Sequence, residues 1–205
     1  AQVTRAVLPT LDENLRMMRD SVSFLKRQGR TVVFDAEHFF DGYKANPDYA
    51  LSCVRAASEA GADSIDLCET NGGALPFEVG EIAAAVAAAL PGQQLGIHCH
   101  NDSGCAVANT LAAVRAGVTQ VQGTVNGFGE RVGNTDLLTV IADLELKMGR
   151  VTVGPENLRE LTSVSQFVAE ACNVSVPAHH PYTGASAFAH KGGLHASAIA
   201  RFPEA

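Results

Sequence analysis

Tryptophan is missing from this 205-residue chain, aromatic side chains make up only 6% of it, and none of its five cysteines stands in a Cys-x-x-Cys pair. An odd number of single cysteines, at positions 53, 68, 99, 105 and 172, argues against a disulfide framework or a zinc knuckle. Reduced thiols in a cytoplasmic protein are expected instead. Positive charge is scarce too: 15 Lys and Arg against 22 Asp and Glu give a net charge of -7. With no basic patch to neutralise phosphates, nucleic acid is excluded as a partner. The longest apolar run, Ile82 to Leu90, is mostly alanine and falls far short of the ~20 residues of a membrane-spanning helix. It reads as a buried amphipathic helix, and no membrane association is expected. Because the chain starts at Ala1, the want of a signal peptide says little about compartment. What remains, 46% apolar and 18% charged residues, is the composition of a folded globular chain.

A repeated unit is present. Thr10-Leu11-Asp12-Glu13 has the form of a capping box and opens a helix to Gln28, with Gly29 as its stop. Thr31 to Asp35 then reads as a buried strand. Asn46 caps and Pro47 starts a helix ending at Ala60-Gly61, and Ser64 to Cys68 is the next strand. A helix over Phe77–Leu90 leads to a strand over Gln94–His98, and a helix over Gly104–Arg115 leads to a strand over Thr119–Thr124. Even the letters recur, since Ala60-Gly61 and Ala116-Gly117 close helices before successive strands. Strands alternating with helices indicate parallel βα units.

The placement of polar residues separates a barrel from an open sheet. Each strand ends in functional groups: Asp35 and Glu37, then Glu69, Thr70 and Asn71, then His98 and His100, then Asn126 and Glu130. A TIM barrel gathers its site from successive strand ends, whereas a doubly wound sheet uses one switch point. The expected fold class is therefore α/β, the C-terminal half of a (β/α)8 TIM barrel. Four units, with a possible strand tail at Gln2-Val3, are half of the eight required. Asn134 is expected to cap a helix over Thr135–Met148, and Pro155 to open another that runs to Cys172 with no strand after it. The boundary is set near Gly149, giving a barrel part over 1–149 and a helical segment over 150–205.

His98 and His100 alternate on one strand, so their imidazoles point to the same side. Two partly exposed histidines are the plainer alternative, since two ligands alone are a weak metal motif. Asn101, Asp102 and the Gly-rich loop bearing Glu130, Arg131 and Asn134 add oxygen donors suited to Mn²⁺, Mg²⁺ or Zn²⁺. A metal-dependent amidohydrolase also uses His-x-His, but needs later histidines, and none occurs between His100 and His179. Asp35 and Glu37 either face the barrel mouth or cap neighbouring loops. Cys99 and Cys105 read as packing residues, with Cys99 pointing away from the histidine side. His179 and His180 read as loop surface, and His190 and Lys191 as candidates or solvated residues. His195, at the start of a helix, is a candidate acid or base.

Phe34 to Pro47, Cys68-Glu69-Thr70-Asn71-Gly72-Gly73, His98-Cys99-His100-Asn101-Asp102, Gly127 to Asn134 and Ala187 to His195 together resemble the 2-isopropylmalate synthase and homocitrate synthase superfamily. Within it, the bacterial (R)-citramalate synthase branch is the nearest likeness. The resemblance covers essentially the whole chain and implies an acyltransferase of amino-acid, isoleucine, biosynthesis. Acetyl-CoA would lose a methyl proton, and its enolate would attack the ketone of a 2-oxo acid, pyruvate in this branch, held on a divalent metal. By motif match His98, His100 and Asn134 would serve the metal, Glu37 and Thr70 the 2-oxo acid, Glu130 and Arg131 the loop beside the metal, and His195 acid–base chemistry. A homodimer is the expected assembly. An Asp-Thr-Thr-Leu-Arg-Asp-Gly type motif on the family's first strand is absent, and position 69 is Glu where Asp is usual. The 205 residues alone are therefore expected to be inactive and to bind metal weakly. Relatives using another 2-oxo acid, a lyase or aldolase of the same superfamily, and a non-catalytic remnant are the alternatives.

Overall fold

The computed structural model describes residues 10–202, so the strand tail expected at Gln2-Val3 lies outside the described residues. Strands β1 (Val33–Ala36), β2 (Ser64–Glu69), β3 (Gln94–Cys99) and β4 (Gln120–Gln122) pair in parallel in the order β1-β2-β3-β4. An order without reversal is that of a barrel array rather than a doubly wound sheet.

Helices connect the strands. Thr10 caps α1 (Leu11–Arg27) by accepting from Glu13 N at 3.1 Å. Glu13 pairs with Arg16 at 2.5 Å. Three helices stop alike: at Gly29, Gly61 and Gly117, all with positive φ, the residue after the glycine bonds back five positions. These are Arg30 N to Leu25 O, Ala62 N to Ala57 O and Val118 N to Ala113 O, each at 3.1 Å. The Ala-Gly repeat thus ends both α3 (Pro47–Glu59) and α5 (Ala106–Arg115). One helix goes beyond the sequence reading. α2 (Phe39–Ala45) forms because Phe39 and Phe40 are buried, and it breaks where Asn46 precedes Pro47. In α4 (Pro76–Ala89), Val79, Ile82, Ala83 and Val86 are buried, and they join Ile65, Leu67, Leu95 and Ile97 in the main core.

Strand β4 is shorter than the stretch Thr119–Thr124 expected from the sequence. At Gly123 the sheet is replaced by contact with the returning chain: a Cβ there would collide with Thr135 O, and Thr124 N donates to that oxygen at 3.0 Å.

The chain divides into two compact units, Ala1–Val140 and Ile141–Ala205, and the division falls within α6 (Leu137–Leu146). In the second unit the single helix expected from Pro155 to Cys172 is two, α7 (Pro155–Leu158) and α8 (Leu161–Cys172), followed by α9 (Gly193–Arg201). The Glu145 carboxylate accepts from the Thr152 hydroxyl and the amides of Thr152, Val153 and Gly154 at 2.6–2.9 Å, and these donors hold its pKa down to about 2. Tyr182 donates to Asp143 at 2.6 Å, which with burial pushes the phenol up to about 12.

Candidate functional site

Strand register sets Asp35, Asp66, Gly96 and Gln120 side by side in one row, and Cys68, His98 and Gln122 in the next. Alternation sends both rows to one face of the sheet, opposite Ile65, Leu67 and Ile97. That face is polar. Asp66 is fully buried, and Gly96 is what admits it, because a Cβ at position 96 would strike its carboxylate. The carboxylate passes β3 and accepts from Gln120 Nε2 at 2.9 Å and Gln122 Nε2 at 2.5 Å, while Ser64 Oγ donates at 2.7 Å. Burial holds Asp66 above the usual carboxylate range, against the opposing pull of these donors. Cys68, in the next row, is pushed up by the same cause, with nearby carboxylates adding to it.

At the carboxyl end of β3 the two histidines stand with ring centroids 5.2 Å apart. His98 Nδ1 lies 3.1 Å from Gln122 Oε1, and Nε2 lies 3.3 Å from Asn134 Nδ2. His100 is buried, and burial, with the Arg131 charge and His98 adding to it, holds its pKa below the ordinary imidazole value. That shift favours the neutral form, the one that binds metals.

The Gly-rich loop is fastened to this strand end. Residues His100 and Asn134 form an antiparallel bridge, Asn101 N donates to Gly133 O at 3.0 Å, and Thr135 N donates to Cys99 O at 2.9 Å. Two glycines allow the fit: a Cβ at Gly129 would strike the Asn134 side chain, and one at Gly133, where φ is +99°, would strike Gly127 O. Asn134 does not cap α6 as the sequence suggests. Asp136 does, accepting from Leu138 N at 3.2 Å, Thr139 N at 3.1 Å and the Thr139 hydroxyl. The helix begins two residues late, and the Asn134 amide is left beside the histidines.

Glu37 and Thr70, expected to line one pocket, meet directly. Thr70 Oγ1 donates to Glu37 Oε2 at 2.9 Å and accepts from His38 N at the same distance. Arg131, at φ +58°, clasps the loops: Nε and Nη2 donate to the Asp102 carboxylate at 2.9 and 3.0 Å, and Nη2 donates to Thr70 O at 2.6 Å. That pairing holds Asp102 below the usual carboxylate range. Glu130 is largely exposed, 3.9 Å from Arg131. Glu69 turns inward, buried, with Oε1 accepting from Gly73 N at 3.2 Å and Ala74 N at 3.3 Å, and burial raises its pKa. His195 is exposed on α9 in the second unit, its ring 6.3 Å from that of His190. Cys99 is buried on the opposite face, and burial pushes its thiol up to about 12. Sequence reading passed over Gln122 and Asp66. The signal available was polar side chains at alternate positions of strands, Ser64-x-Asp66 and Gln120-x-Gln122.

Two atoms indicate what the site takes. His100 Nδ1 and Asn134 Oδ1 are buried and have no hydrogen-bond partner among the described residues. Such an orphan costs about 1–3 kcal/mol unless a ligand satisfies it. Two imidazoles and an amide oxygen fit a divalent metal with open positions. The described residues include no group of three or more His, Cys, Asp or Glu that could hold a metal, so this donor set is partial.

A polar site at the strand ends of a sequential parallel sheet is the signature of a TIM-barrel enzyme family. A family model described as HMGL-like matches residues 2–168, and the chain belongs to that family. It is 58% identical over 202 residues to the (R)-citramalate synthase of Streptomyces coelicolor, covering 98% of this chain and 38% of the relative. With the (R)-citramalate synthase of Aquifex aeolicus it shares 54% identity, covering 96% and 37%. The homocitrate synthase of Saccharolobus solfataricus is more distant at 36%, covering 95% and 41%. Among solved structures, the Bacillus subtilis HMG-CoA lyase superposes with a TM-score of 0.72 at 22% identity, covering 85% of this chain and 60% of that one. The chain thus spans under two-fifths of the length of these citramalate synthases. Among the described residues, no helix is long and apolar enough to cross a membrane.

Proposed function

We propose that this chain supplies the histidine-bearing part of an acyltransferase that condenses acetyl-CoA with a 2-oxo acid, with pyruvate going to (R)-citramalate. The convergence of His98, His100 and Asn134, with two of their donor atoms buried and unsatisfied, carries the reading. Identity of 49–58% to citramalate synthases, against 35–36% to homocitrate synthases, supports pyruvate as the acceptor.

His98, His100 and Asn134 would hold a divalent ion, which when bound supplies Lewis-acid polarisation of the 2-oxo group. Glu37 and Thr70 bind and orient the 2-oxo acid, Thr70 being held in place by the Glu37 carboxylate and the His38 amide. Arg131 keeps the loops after β2, β3 and β4 in register through Asp102 and Thr70, with Glu130 beside it on the exposed rim. His195 takes and returns a proton in acid–base chemistry on the acetyl group. The barrel part runs to Gly149, the helical segment follows it, and the working assembly is a homodimer in the cytoplasm.

The test is CoA release from acetyl-CoA by the full-length protein with pyruvate, 2-oxoisovalerate or 2-oxoglutarate, with Mn²⁺ and after chelation. Preferential use of pyruvate, lost on chelation and in His98→Ala, is expected. Turnover that survives chelation, or a preference for 2-oxoglutarate, would sink the reading.

A further inference from the structure

We infer that Gln122 is a positioning residue that sets the tautomer of His98. Its Nε2 lies 3.1 Å from Asp35 Oδ1 and 2.5 Å from Asp66 Oδ2, and its Oε1 lies 3.1 Å from His98 Nδ1. Carboxylate oxygens accept hydrogen bonds, so the amide end facing two of them is the NH₂ end. Turning the amide over would set its oxygen against both carboxylates. Oε1 therefore faces His98, and an amide oxygen can only accept. The proton of neutral His98 consequently sits on Nδ1, and Nε2 carries the lone pair, directed at Asn134 Nδ2.

The arrangement is anchored well behind the site. Asp66 is held by Ser64 Oγ and Gln120 Nε2 and is admitted by the missing side chain of Gly96. One polar chain thus runs from Asp66 on β2 to Gln122 on β4, back to His98 on β3, and out to Asn134. An imidazole that binds a metal through one nitrogen is fixed by an acceptor on the other. Gln122 fills that role here, which rests on the reading of His98 as a ligand.

The tautomer itself can be read without metal or turnover, by ¹⁵N NMR of histidine-labelled full-length protein above the ordinary imidazole pKa. The wild type is expected to show a protonated Nδ1 and a lone pair on Nε2. Gln122→Met, which keeps the volume and loses the acceptor, is expected to show a mixed or reversed tautomer. Gln122→Glu, in which one carboxyl oxygen stays opposite Nδ1 and the other, protonated, donates to Asp66 in place of the lost amide, is expected to retain the wild-type pattern. Mn²⁺ titration followed by EPR should give binding about 10–100-fold weaker in Gln122→Met. A proton on Nε2 in the wild type, a Gln122→Met spectrum identical to the wild type, or loss of the tautomer in both variants alike would overturn the inference. An altered tautomer with unchanged Mn²⁺ affinity upholds the inference and overturns instead the reading of His98 as a ligand.

Discussion

On the helix-covered face of the sheet, Ile65, Leu67, Leu95 and Ile97 are buried in one core with Val54, Val79, Ala83 and Val86. One residue along the same strands, on the other face, stand Asp66, Cys68, His98 and Gln122. The first face is held by volume and removal from water, and is indifferent to direction. The second depends on which atom donates and which accepts, so each of its members constrains the next. A slip of one residue in register would exchange the two faces, which makes the register itself a functional property.

Ile97→Ala should do the most damage to stability, about 2–5 kcal/mol by denaturant unfolding, because Ile97 is fully buried. His98→Ala should cost about 1 kcal/mol or less while removing Mn²⁺ binding. Equal destabilisation by the two would break the contrast between the faces. Gly96→Ala should cost about 1–3 kcal/mol, since its Cβ must displace the Asp66 carboxylate. In an Asp66→Ala background most of that cost should vanish, and a persisting cost would mean that Gly96 serves something other than Asp66. A smaller effect lies in pH. The folded Asp66 carboxyl is raised above its unfolded value, so its contribution is full below the unfolded pKa and is lost as pH rises through the folded one. Asp66→Asn should therefore flatten stability against pH above about pH 4, the unfolded carboxyl value. Ile97→Val should leave that slope unchanged. Least of all, native alkylation should modify exposed Cys172 first and spare Cys99, which is buried with its thiol pushed up to about 12.

Much of this was legible in the residues. Alternation of strands and helices, helix stops at Gly29, Gly61 and Gly117, and the projection of His98 and His100 to one side follow from local patterns, and the structure bears them out. What misled was competition between neighbours. Asn134 and Asp136 are both good caps, and only the antiparallel bridge to His100 decides that Asn134 stays outside the helix. Phe39 and Phe40 become a helix because a core awaits them, which no local propensity announces.

The order of the chain by itself determined the βα rhythm, the helix ends and the strand-end histidines, because these depend on period, capping and backbone freedom within a few residues. Tertiary structure alone decided that Gly96 makes room for Asp66, that Asp66 and Asp35 turn the Gln122 amide, and that this amide meets His98. Those contacts join residues 24 to 87 positions apart, and hydrogen-bond direction between them exists only once the strands are paired.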